Sequence, residues 1–147
     1  MAQAESIHLD TSLGYLLKEA SSALRQAMEE VLRPLGMSIT HYSCLELLAQ
    51  RPGLSNSELA RGAFVTRQSM NVLLRSLEQD GEVLRPAKAE VGRVLPTQLT
   101  DLGRERLRAA TAAVRSVEVR MLSGLDEAER DQALVSLRKM VRALQAD

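Results

Sequence analysis

The chain has 147 residues, 45% hydrophobic and 26% charged, which is enough for one domain with a buried core and ordinary for a soluble globular protein. Aromatic residues make up only 2%, with no Trp and one Phe, and a core of Leu, Val, Ala and Met suits packed helices better than a sheet sandwich. Its 19 basic and 19 acidic residues cancel, which excludes a bulk cationic coat for nucleic acid but not a local basic patch.

The first residues, MAQAESIHLD, lack the basic and apolar regions of a signal peptide. No apolar run approaches the roughly 18 residues that cross a bilayer. The expectation is a cytoplasmic protein with no membrane partner. From Leu13 onward, Leu13, Leu16, Leu17, Ala20, Leu24, Ala27, Met28, Val31 and Leu32 recur at helical spacing and predict one long helix with a broad apolar face. It ends near Pro34, with Gly36 suited to a left-handed terminating residue. A second helix is expected over 40–50, capped by Thr40 and stopped by RPG. It carries the single cysteine, Cys44, which rules out an intrachain disulfide framework and fits a reducing compartment.

Ser55 and Glu58 have the S-x-x-E spacing of a capping box, opening a short helix that reaches about Ala63. After a brief turn, Thr66 caps a helix over 66–80, and Gly81 ends it where a positive φ is expected. Two short strands follow, over 83–85 and 94–99, joined by a hairpin loop that holds Pro86, Lys88, Glu90 and Gly92. Pro96 cannot donate to a ladder, so the second strand belongs at an edge. Thr100 then caps a long helix, the turn SGL follows, and Asp126 with Glu129 forms another capping box. The last helix carries Leu134, Leu137, Val141 and Leu144 on one stripe. The expected fold is mainly α, in the order α-α-α-α-β-β-α-α.

The helix over 66–80 has two unlike faces. At about 100° per residue, Met70, Leu73, Leu74 and Leu77 fall together as a buried side. Gln68, Asn71, Val72, Arg75 and Gln79 lie opposite, with Arg67 on the shoulder, and no acidic residue stands between Thr66 and Ser76. A solvated face is the plain alternative, but solvated faces commonly mix Glu with Lys at i,i+4. Arg can bridge guanine O6 and N7, Asn or Gln can bridge adenine N6 and N7, and Val can meet a thymine methyl. The helix start offers free N–H groups to a phosphate, with Thr66, Arg67 and Ser69 beside them. A short capped helix, a turn, this helix and a hairpin make the order of a winged helix-turn-helix, whose second helix enters the major groove. Arg85, Lys88 and Arg93 are the basic residues available to a wing in the adjacent minor groove.

The stretches LSNSELARGAFVTRQSMNVLLRSLEQDGEVLR and GRVLPTQLTDLGRERL resemble the MarR (multiple-antibiotic-resistance regulator) family of bacterial transcription factors. SELA, VT-Q-S, LE-DG and LT--G carry the resemblance together, and it covers nearly the whole chain. The chain departs from the family pattern at two places. Ala63 and Phe64 stand where many members have Leu-Gly, and Val91 stands where many have an Asp that holds the wing arginine, here Arg93. Glu90 is the nearest carboxylate that could substitute.

The resemblance implies a homodimeric repressor of a pseudo-palindromic operator on double-stranded DNA, released by a small phenolic or lipophilic effector. It divides the single domain, 1–147, into a winged DNA-binding lobe over 36–100 and a dimerisation lobe over 10–35 and 101–147. An intertwined two-fold dimer would cover the apolar N- and C-terminal helices and set two recognition helices about one DNA turn apart. A monomeric bundle with the stripes packed inside is the alternative. Tyr15, His41 and Tyr42 come from helices that line the family's effector cleft, though each could equally be a core or rim residue with a satisfied polar end.

Other classes fit less well. Cys44 lies in an apolar helix, which favours a core role over a redox sensor. His41, Cys44 and Glu46 are too few for a zinc site, since the only other histidine is His8. No catalytic residue and no cofactor is expected, because nucleophile elbows, phosphate loops and H-E-x-x-H are missing from the sequence. A helical protein–protein adaptor would explain the apolar stripes but has no need of an Arg/Gln/Asn face followed by a basic wing.

Overall fold

The computed structural model describes residues 6–85 and 96–146. Six helices and a two-stranded ribbon follow the expected order: α1 Leu13–Leu32, α2 Ile39–Gln50, α3 Asn56–Gly62, α4 Arg67–Gln79, β1 Val83–Leu84, β2 Gln98–Leu99, α5 Asp101–Met121 and α6 Glu127–Gln145. Most helix starts follow from a local cap. The Ser55 and Asp126 capping boxes form, and the Thr66 and Thr100 hydroxyls accept from Ser69 N–H and Gly103 N–H. The start of α2 differs from expectation. Ser38, not Thr40, is its cap, because the Ser38 hydroxyl accepts from His41 N–H at 3.0 Å while Thr40 lies inside the first turn.

After α1 the chain makes a short 3-10 turn, Arg33–Leu35, and Gly36 takes the left-handed conformation at φ 68°. The ribbon is shorter than expected. Val83 pairs with Leu99 and Leu84 with Gln98, antiparallel, so Arg85 lies just beyond the first strand. The part of the second strand expected at 94–95 lies outside the described residues.

One core joins the winged unit to the long helices. Leu32 of α1, Cys44, Leu45 and Leu48 of α2, and Leu59 of α3 pack with Met70, Leu74 and Leu77 of α4, Val83, Leu99, and Leu107 and Ala110 of α5. α1 and α5 lie against each other and against α2, so the recognition unit rests on a helical base. α6 has no substantial packing partner among the described residues. Leu134, Val135, Leu137, Val141 and Leu144 stand exposed along it, as do Leu13, Leu16 and Leu17 at the other end of the chain. No helix among the described residues is long and apolar enough to cross a membrane.

Candidate nucleic-acid interface and the cleft behind it

The turn between α3 and α4 fixes how α4 is presented. Ser55 Oγ accepts from Glu58 N–H at 3.2 Å, and Glu58 Oε1 accepts from Ser55 N–H at 3.0 Å. The backbone bond from Ser55 holds the Glu58 carboxyl below the usual carboxylate range. Val65 N–H then donates to Ala60 O at 3.0 Å and closes the turn, in which Phe64 has φ 60°. Thr66 Oγ1 accepts from Ser69 N–H and donates to Ser69 Oγ, both at 3.0 Å, which fixes the first turn of α4.

On α4, Met70, Leu74 and Leu77 are buried and Leu73 half-buried, as the wheel requires. Arg67, Gln68, Ser69, Val72, Arg75 and Gln79 point outward. Neither Arg67 nor Arg75 forms an ion pair among the described residues. Arg67 also lines a notch of about 300 Å³ with Ser57, Ala60, Arg61 and Val65, beside the helix start. Asn71 differs from its neighbours. It is half-buried, and its Oδ1 accepts from Asn56 Nδ2 at 2.7 Å, tying α4 to the first turn of α3. Of the wing cations, Arg85 is half-buried at the end of β1, while Lys88 and Arg93, with Glu90 and Val91, lie outside the described residues.

The root of the wing is held by contacts that the sequence did not suggest. Gly81 at φ 79° turns the chain, and its carbonyl accepts from Thr100 Oγ1 at 2.6 Å. Glu82 N–H donates to Leu77 O at 2.9 Å, and Glu82 O accepts from Thr100 N–H at 3.1 Å. Gly103 packs directly on that carbonyl, and a Cβ there would run into Glu82 O, with Leu99 Cδ2 3.3 Å away. The LT--G spacing is therefore a cap plus a close approach.

Glu82 itself is fully buried. Its Oε1 lies 2.8 Å from His41 Nε2 on α2, and its Oε2 lies 3.5 Å from Arg106 Nη1 on α5, without a hydrogen bond of its own. Arg106 Nη2 also donates to Leu35 O at 3.1 Å. These contacts join the 3-10 turn after α1, α2, the wing root and α5. The available sequence signals were a histidine in an apolar helix and a glutamate between Gly81 and Val83, and neither names the other.

The three effector candidates are not gathered into one site within the chain. His41 is buried and bonded to Glu82. Tyr42 OH donates to Glu46 Oε2 at 2.7 Å, and burial followed by the Glu46 carboxylate pushes the phenol up. Tyr15 is exposed on α1, beside a depression lined by Lys18, Glu19, Ser22, Ala23 and Gln26 of the same helix. Glu46 takes two further hydrogen bonds, from Thr111 at 3.0 Å and Gln50 at 2.7 Å. Burial raises its carboxyl, but the donors Gln50, Tyr42 and Thr111 outweigh burial and hold it below the usual carboxylate range. Cys44 is fully buried, and burial followed by Glu82 pushes its thiol up to about 12. Between α1 and α5, Ala20, Ala23, Leu24, Ala27, Val117 and Met121 wall an apolar cleft of about 260 Å³, with Arg120 beside it.

A capped helix, a closed turn, a second helix with a cationic polar face and an antiparallel ribbon define a winged helix-turn-helix transcriptional regulator. The chain belongs to the MarR family, whose model matches residues 35–94. The HTH-type transcriptional repressor Rv2887 of Mycobacterium tuberculosis is 43% identical over 131 residues, covering 89% of this chain and 94% of that protein. A crystal structure of M. tuberculosis MarR family protein Rv2887 with salicylic acid superposes at TM-score 0.74 with 41% identity, covering 93% of this chain and 98% of the other. The same protein in complex with DNA gives TM-score 0.71 with 38% identity, covering 92% and 99%.

Proposed function

We propose that this chain is a cytoplasmic, homodimeric repressor that binds a pseudo-palindromic operator on double-stranded DNA and is released by a small phenolic or lipophilic acid. The observation that carries the DNA reading is the outward face of α4, where Arg67 and Arg75 have no ion pair among the described residues and no carboxylate stands between them in the sequence. Gln68, Val72 and Arg75 read base edges, with Asn71 beside them, while Thr66, Arg67 and Ser69 hold phosphate at the helix start. Arg85, Lys88 and Arg93 serve the wing. No catalytic step is assigned to the chain.

The dimer is supported by the uncovered apolar stripe on α6, a helix with no substantial packing partner among the described residues. The effector reading is supported by the relative solved with salicylic acid. The α1–α5 cleft offers an apolar slot for a ring, and Arg120 offers a cation for an acid group. Tyr15 is the most exposed of the effector candidates; His41 is buried against Glu82, and half-buried Tyr42 has its hydroxyl on Glu46.

The test is a binding screen of purified protein against genomic fragments, repeated with phenolic acids. Replacing Arg75 or Gln68 with Ala should remove sequence preference, at about 1–3 kcal/mol per bidentate contact. If no duplex is retained above non-specific background, the regulator reading fails. A protein–protein adaptor would instead keep its partner in both variants.

A further inference from the structure

Phe64 is the chain's only phenylalanine, and it is 93% exposed in a protein whose aromatic content is 2%. It sits in the turn between α3 and α4 with φ 60°, the one non-glycine residue at positive φ among the described residues. Left-handed backbone crowds the Cβ of a bulky residue, and glycine or asparagine adopts it at lower cost. The backbone of the turn is well made regardless, through Phe64 N–H to Arg61 O at 3.2 Å and Val65 N–H to Ala60 O at 3.0 Å. Those bonds need no phenyl ring. Half-buried Val65 supplies the apolar contact of the turn, so the ring returns nothing to the fold.

What lies around the ring tells what it meets. Two residues on, Thr66 caps α4, whose first turn carries no carboxylate. Arg61 and Arg67, three residues before and three after Phe64, both line the notch beside the helix start. Cations disposed this way suit successive phosphates of one strand, and the surface between such phosphates is the apolar edge of a deoxyribose or a thymine methyl. We propose that Phe64 is a DNA-contacting residue, packing its ring on that apolar surface as α4 enters the groove. The proposal rests on the DNA-binding reading and adds a contact outside the recognition helix.

Opposite signs in two measurements test it. Phe64→Asn keeps the left-handed turn, removes the ring and should raise the melting temperature. The same variant should bind the operator roughly tenfold more weakly, the loss expected for one apolar contact. Phe64→Leu, which keeps an apolar group, should stay within about threefold of wild type. An equal loss on operator and on random duplex assigns the contact to deoxyribose, and a loss on operator alone assigns it to a thymine methyl. Undiminished affinity in Phe64→Asn, while Arg75→Ala still abolishes sequence preference, overturns the proposal and leaves the DNA reading standing. A fall in melting temperature, or equal losses for Leu and Asn, overturns it too by returning the ring's role to the fold. If wild-type protein binds no duplex, both readings fall together.

Discussion

Glu82 is a carboxylate with no exposed surface, held by one imidazole and one guanidinium from two different helices. At 3.5 Å and an effective dielectric near 20, the attraction to Arg106 is about 5 kcal/mol before desolvation is subtracted. Desolvating the carboxylate costs several kcal/mol, so the net value of the intact triad is small. The two ways of breaking it are therefore unequal. Removing His41 by His41→Leu leaves the carboxylate buried with only a long contact to Arg106, which should cost about 3–5 kcal/mol. Removing Glu82 by Glu82→Leu leaves a buried imidazole without its partner, while Arg106 stays partly solvated and keeps Leu35 O. That should cost about 1–3 kcal/mol.

The double variant carries neither polar group and fills the space with apolar atoms. It should return to within about 1 kcal/mol of wild type. Urea unfolding at one fixed protein concentration measures all four proteins, since a dimer's apparent stability depends on concentration. The expected coupling is several kcal/mol, with His41→Leu the worse of the single changes. Additive single losses, or Glu82→Leu costing more than His41→Leu, would show that Glu82 is not held in the way the distances imply.

Two further outcomes follow from the same region. Gly103→Ala places a methyl against the Glu82 carbonyl, a backbone atom that cannot rotate away. It should lose about 2–3 kcal/mol in urea unfolding, and an unchanged midpoint would refute the close approach. Glu46→Gln weakens three hydrogen bonds to a carboxylate that is partly open to solvent, for about 0.5–1 kcal/mol near neutral pH. The folded carboxyl lies below its ordinary value, so its contribution is present above the unfolded pKa and is lost as pH falls through the folded one. The gap between wild type and Glu46→Gln should therefore close on acidification, and a gap constant down to pH about 3 would sink the assignment.

Local chemistry decided what could be read from the sequence. The capping boxes at Ser55 and Asp126, the caps at Thr66 and Thr100 and the turn at Gly81 each involve residues three or fewer apart, and all form as expected. The same rule misplaced the start of α2, where Ser38, two residues earlier, took the role expected of Thr40. Contacts between distant residues gave no such signal. His41 meets Glu82 across 41 positions, Arg106 meets Leu35 across 71, and Gly103 shows its purpose only once Glu82 O is beside it.

The same distinction runs through the DNA face. A helical wheel places Gln68, Asn71 and Arg75 together on one side, but it cannot see Asn56 on the neighbouring helix. Asn71 Oδ1 is the acceptor an adenine amino group would need, and it already accepts from Asn56 at 2.7 Å. Gln68 is exposed, and no hydrogen bond within the described residues occupies its amide. The proposed base reading therefore rests first on Gln68 and Arg75. Asn71 instead ties α4 to the first turn of α3.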